Sequence, residues 1–197
     1  MTETLKRRFS LRMAFSGDWA SVIVPVPDGF PAWNAGPMRL IGSDGHGVEL
    51  GVVGYQFPDA VDPRQRQSWL IVEGSAHCPQ GAWSFRWQAL TADDAVELAR
   101  WLGRAAARPF GSEHDDSGRL DFTEPNLAFA FTWTDPGLVE LRVSLDLEFS
   151  PPWRRQARSG EPFVVTSRLT AEEVLAAATE WAAEITPYPP AGDANLR

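Results

Sequence analysis

Leu141-Arg-Val-Ser-Leu-Asp-Leu-Glu-Phe-Ser150 is the stretch that decides the fold class. Leu141, Val143, Leu145, Leu147 and Phe149 alternate with Arg142, Ser144, Asp146, Glu148 and Ser150. A strand turns successive side chains to opposite faces, so this pattern predicts a half-buried strand with one apolar and one polar side. Two other segments repeat it: Leu127, Phe129, Phe131 and Trp133 share one phase, and Trp83, Phe85 and Trp87 oppose Ser84, Arg86 and Gln88. Asp135-Pro-Gly137 separates the Leu127 and Leu141 segments with turn chemistry, which predicts an antiparallel hairpin. Toward the N-terminus, Met38–Ile41, the turn Ser43-Asp-Gly45 and a run from Val48 to Tyr55 predict a second hairpin. Ser68–Ala76 is apolar on both faces and suits a covered central strand, which Pro79-Gln-Gly81 turns into Ala82–Gln88.

Helical periodicity replaces the period of two in two places. Thr91 is a good N-cap, Asp93 and Asp94 fall in the first turn, and Ala95, Leu98, Ala99, Leu102 and Ala106 form a stripe that ends before Pro109. Thr170 followed by Glu173 spells a capping box, with Val174, Ala178, Trp181 and Ile185 on one stripe before Pro187. Together these predict a single α+β domain over residues 38–186, a twisted antiparallel sheet of about six to seven strands with two α-helices. Residues 1–37, with Pro25, Pro27, Pro31 and Pro37 and no sustained period, read as a poorly structured extension, and residues 187–197 as a loose tail.

A chain of 197 residues fits one domain of ordinary size. Its net charge is −8; Lys6, Arg7, Arg8 and Arg12 against Glu3 make the first twelve residues +3, so the remainder carries −8 − 3 = −11. That balance disfavours nucleic acid and anionic membrane as partners and suits a basic protein. Cys78 is the lone cysteine, so an intrachain disulfide is excluded and a reducing compartment is implied. Arg12 and Asp18 interrupt the place where a signal peptide needs its apolar run.

Motifs that carry chemistry are sparse. His46, His77 and His114 lack metal-ligand spacing, and no nucleophile elbow or phosphate loop is present, so no cofactor or metal is expected. Glu124 and Glu148, if adjacent strands bring them together, would form an acid–base pair of a carboxylate-dependent hydrolase. Trp153, after two prolines, and Trp33 are the rings placed to be exposed, which keeps a small-molecule or sugar-binding β-rich module open as a further reading.

The ordered strings Val53-Gly-Tyr-Gln-Phe-Pro-Asp59, Trp69-Leu-Ile-Val-Glu73, Gly81-Ala-Trp-Ser-Phe85, Leu90-Thr with Leu98-Ala-Arg-Trp-Leu102, Phe122-Thr-Glu-Pro-Asn-Leu-Ala-Phe129 and Glu148-Phe-Ser-Pro-Pro-Trp153 resemble the WapI-type immunity proteins of bacterial polymorphic toxin systems. The resemblance runs from about Met38 to Ile185, and the residues before Met38 depart from it. It implies a cytoplasmic, non-enzymatic protector that binds and neutralises a secreted toxin domain, in the best-known case a tRNA nuclease delivered by contact-dependent inhibition. Nuclease toxins attract phosphate and are basic, so an acidic inhibitor surface gains association rate. The partner-binding candidates are therefore Glu113, Asp115 and Asp116 in the polar loop, Glu124, Asp146 and Glu148 near the strand ends, and Trp153.

Overall fold

The structure, a computed structural model, describes residues 36–107, 118–154 and 160–190. Among them are strands β1 (Met38–Ile41), β2 (Gly47–Tyr55), β3 (Trp69–Cys78), β4 (Gly81–Thr91), β5 (Gly118–Asp121), β6 (Leu127–Asp135), β7 (Leu138–Leu145) and β8 (Phe163–Thr170). The helices are the short α1 (Pro63–Arg66), then α2 (Ala92–Ala107) and α3 (Ala171–Ile185). The expected single sheet is two antiparallel sheets of four strands, ordered β1-β2-β3-β4 and β5-β6-β7-β8. Each strand pairs only with its neighbours in the chain, so α2, inserted between β4 and β5, divides one meander into two.

One core joins the layers. β8 lies against β1, β2 and β3, α3 covers β1, β2 and β8, and α2 packs on α3 and touches β4 and β5. Leu50, Leu70 and Phe85 of the first sheet, Phe129, Leu141 and Val165 of the second, and Leu98 and Trp181 of the helices belong to the same buried cluster. Both caps form as expected. The Thr91 amide donates to Asp94 Oδ2 while the Asp94 amide donates to Thr91 Oγ1, and Thr170 and Glu173 exchange the equivalent pair.

The strand phases hold over shorter spans than the alternation predicts. β7 stops at Leu145, because Asp146 accepts the Leu147 amide with its own side chain (2.8 Å) and opens a 3₁₀ turn, Leu147–Phe149. Leu147 therefore takes a left-handed φ of 47° and points outward, while Phe149 returns to the core. Trp87 shares the inner face with its β3 partner Val72, yet Val72 is buried and Trp87 is half-exposed on the edge strand. An extra residue, Ala89, sits between the pairs Leu70–Leu90 and Ile71–Gln88 and reverses the phase beyond it. Phe131 and Trp133 are only partly buried against the core.

α3 contributes more than an apolar stripe. Glu180 and Glu184, one turn apart, take strand amides that the ladders leave over: Arg39 N–H donates to Glu180 Oε2 (3.3 Å) and Val52 N–H to Glu184 Oε1 (3.2 Å). β1 ends opposite Leu50, so Val52 lies beyond its reach. Glu184 is buried, and burial raises its carboxyl from its ordinary value, against the pull of the Val52 amide. A raised folded-state value means that stability is lost as pH climbs from about 4.3, where the unfolded chain starts to ionise this group. Glu184→Gln keeps an acceptor for Val52 and removes the charge. It is expected to raise the Tm at pH 7 on the order of 2–4 °C, with the gain fading toward pH 4. An equal gain at both pH values in a calorimetric scan would show that Glu184 carries no burial penalty.

Candidate partner-binding surface

β4 is an edge of the first sheet and the scaffold of this surface. It starts at Gly81, whose φ of +146° favours glycine and whose missing side chain makes room for Trp153; a Cβ there would lie 3.2 Å from the Trp153 ring. The Trp153 ring stands edge-on to Trp83 (5.3 Å) and to Phe163 of β8 (6.4 Å), with 44% of the residue still exposed. Two core-facing rings of β4 then pin the 3₁₀ turn. Trp83 donates its indole N–H to the Phe149 carbonyl (2.9 Å), and Phe85, lying over Gly74, stacks on Phe149 at 4.3 Å and 32°.

That anchoring sets the carboxylates. Asn126, fully buried in the turn before β6, accepts the Asp146 amide with its carbonyl (3.0 Å) and donates Nδ2–H to Glu148 Oε2 (2.7 Å). Glu124, in the same turn, accepts from Gln88 Nε2 (3.4 Å) on β4. Asp146 spends one carboxylate oxygen on the Leu147 amide. The structure thus brings Glu124, the turn that carries Asp146 and Glu148, and Trp153 to the neighbourhood of β4, although they come from two separate stretches of sequence. Glu113, Asp115 and Asp116, like His114 and Trp33, lie outside the described residues.

Two side chains on this surface were missed by sequence reasoning. Trp87 is 50% exposed and Leu147 52% exposed, where the alternation assigns both to the apolar face. Trp87 stands four positions beyond Trp83, so the exposed rings of Trp153, beside Trp83, and of Trp87 mark two stations along β4, with about 13 Å of strand from Trp83 to Trp87. The signals existed: Asp146 is a capping residue inside a strand pattern, and Thr91 sets the end of β4 close after Trp87.

The rival readings find less to build on. Glu124 and Glu148 flank one turn, yet each is held by its own amide donor rather than facing the other as a dyad. On the outer face of the first sheet Ser75 Oγ meets His77 Nε2 (3.2 Å) and Glu49 Oε2 (3.4 Å), with Arg39 on Glu49 (3.1 Å). The carboxylate there touches the hydroxyl instead of orienting the imidazole, so the order needed to activate a nucleophile is not assembled. Cys78 donates its thiol to the Gly81 carbonyl. Among the described residues no group of three or more His, Cys, Asp and Glu side chains is placed to hold a metal ion, and no helix is long and apolar enough to cross a membrane.

Fold and surface together define a two-sheet α+β module whose edge strand β4 exposes Trp87 and is flanked by the turns that carry Glu124, Glu148 and Trp153. The chain belongs to the immunity protein WapI-like family, whose profile matches residues 39–189, from the second residue of β1 to just past α3. No curated protein and no solved structure matches it.

Proposed function

We propose that this protein binds and neutralises a cognate secreted toxin domain, a nuclease in the form its charge suits best, in the cytoplasm of the bacterium that makes it. The observation that carries the reading is membership of an immunity family over most of the chain. The acidic balance supports it, since a basic toxin is drawn to a negative surface and like-charged competitors are turned away. Protection is stoichiometric and needs no turnover. The toxin arrives by contact-dependent inhibition or a related delivery route, and the gene of this chain lies directly downstream of the secreted protein that carries it.

Cells that express the toxic C-terminal domain of that upstream protein should survive when this chain is co-expressed. Asp146→Asn with Glu148→Gln retains the hydrogen-bonding geometry and removes two charges. Association should slow and lose part of its salt dependence, and if Glu148 is desolvated against a toxin arginine the loss reaches about 2–5 kcal/mol. Replacing Glu113, Asp115 and Asp116 together should change mainly the association rate. Full protection and salt-independent binding by both variants would remove charge steering from the mechanism, and hydrolysis of a substrate in a Glu124-dependent way would replace the immunity reading with an enzymatic one.

A further inference from the structure

We infer that Leu147 is an anchor of the partner interface, a preformed apolar knob that enters an apolar pocket on the toxin domain; the inference rests on the immunity reading and deepens it.

Exposure alone does not single out a leucine, since folded surfaces carry many isolated apolar side chains. Leu175 on α3 and Val164 on β8 are exposed to a similar degree, 54% and 46%, on regular helix and strand backbone. Leu147 combines 52% exposure with a left-handed φ of 47°, and among the described residues it is the one non-glycine residue with a positive φ. Glycine or asparagine adopts that backbone more cheaply than leucine, whose Cβ crowds the following carbonyl. A position that carries both a backbone cost and an exposed apolar side chain forgoes stability twice. Such outliers persist where the surrounding structure over-determines them, and they concentrate at ligand clamps.

The turn over-determines this one. The Asp146 amide donates to the Asn126 carbonyl (3.0 Å), the Leu147 amide to Asp146 Oδ1 (2.8 Å), the Phe149 amide to the Asp146 carbonyl (2.8 Å) and the Ser150 amide to the Leu147 carbonyl (3.1 Å). Phe149 and Pro151 are buried behind it. The knob therefore stands in one geometry before the partner arrives, and little ordering entropy is lost on binding. The backbone N–H and C=O of Leu147 are both bonded within the turn, so what this residue offers a partner is its isobutyl side chain. An apolar pocket is the complement of that group, because a polar groove would give up its water and gain no hydrogen bond in return. Recognition at this point is by shape and apolar area, and salt should not change it.

The full chain is titrated with the C-terminal domain of the secreted protein encoded immediately upstream, at two salt concentrations. Leu147→Asn supplies a residue type that accepts the left-handed backbone and removes the knob. Its Tm should stay within about 2 °C of the wild type or rise above it. Affinity should fall about tenfold or more, through faster dissociation and by the same factor at both salt concentrations. Leu147→Met restores an apolar side chain and should bind within about threefold of the wild type. Leu175→Asn removes an equally exposed leucine from α3 and should bind like the wild type. If the wild-type chain binds and Leu147→Asn loses less than about tenfold, or Leu175→Asn loses as much, Leu147 is not the anchor and the immunity reading stands. A Tm drop of more than about 2 °C in Leu147→Asn would show that the leucine serves internal packing, and overturns the inference whatever the affinity. A loss that vanishes at the higher salt concentration assigns the contact to charge and overturns the apolar pocket. Absence of any binding by the wild-type chain overturns the immunity reading, and this inference with it.

Discussion

Phe149→Ala is expected to cost about 3–5 kcal/mol, the usual range for removing a buried ring whose space cannot close. Phe149 has no exposed surface, its ring lies on Phe85, and its carbonyl receives the Trp83 indole. At roughly 2–4 °C per kcal/mol for a chain of this size, the Tm should fall by roughly 6–20 °C. The variant should also bind its partner poorly at temperatures where it is still folded, because the 3₁₀ turn that carries Leu147 and Glu148 is fixed to β4 through this residue. Phe149→Leu fills most of the space and keeps the backbone carbonyl, so stability and binding should both recover in large part. A urea titration with unchanged m-value, followed by binding of the folded fraction, separates the two effects. Normal affinity of folded Phe149→Ala would show that the turn holds its place without the ring.

The contrast between these residues and the strands explains what was legible beforehand. Helix ends were readable because their determinants lie within three or four residues: Thr91 with Asp94, and Thr170 with Glu173, form reciprocal hydrogen bonds that sequence spacing alone specifies. Strand pairing depends on register across the sheet, and nothing local announces that the chain closes one sheet at β4 and begins another at β5. β8 kept its period, with Val165, Ser167 and Leu169 facing in, but Ser167 breaks the apolar signal. Alternation names the face a side chain takes and is silent on how far the covering layer extends. Trp87 and Phe131 keep the inward phase of their strands and are still incompletely covered. Glu124 and Glu148 were legible as residue types; their approach to β4 is made by Asn126, Gln88, Trp83 and Phe85, side chains that a reader of the sequence assigns to turn, surface and core.

Trp181→Ala should be as damaging to stability as Phe149→Ala, about 3–5 kcal/mol, and harmless to recognition. Trp181 is the largest fully buried side chain among the described residues, and its indole N–H donates to the Ala95 carbonyl (2.8 Å), tying α3 to the first turn of α2. Truncation removes the ring and that bond together. Trp181→Phe keeps much of the volume and loses only the donor; the Ala95 carbonyl sits inside a helix and is not stranded, so about 1 kcal/mol is expected. The ratio of the two costs measures how much of the α2–α3 contact is packing. Because Trp181 belongs to the helical layer and the proposed binding residues lie about β4, folded Trp181→Ala should retain wild-type affinity for the proposed toxin partner. A parallel loss of affinity would show that the helices hold the β4 edge in shape, and that the surface and the core act as one cooperative unit.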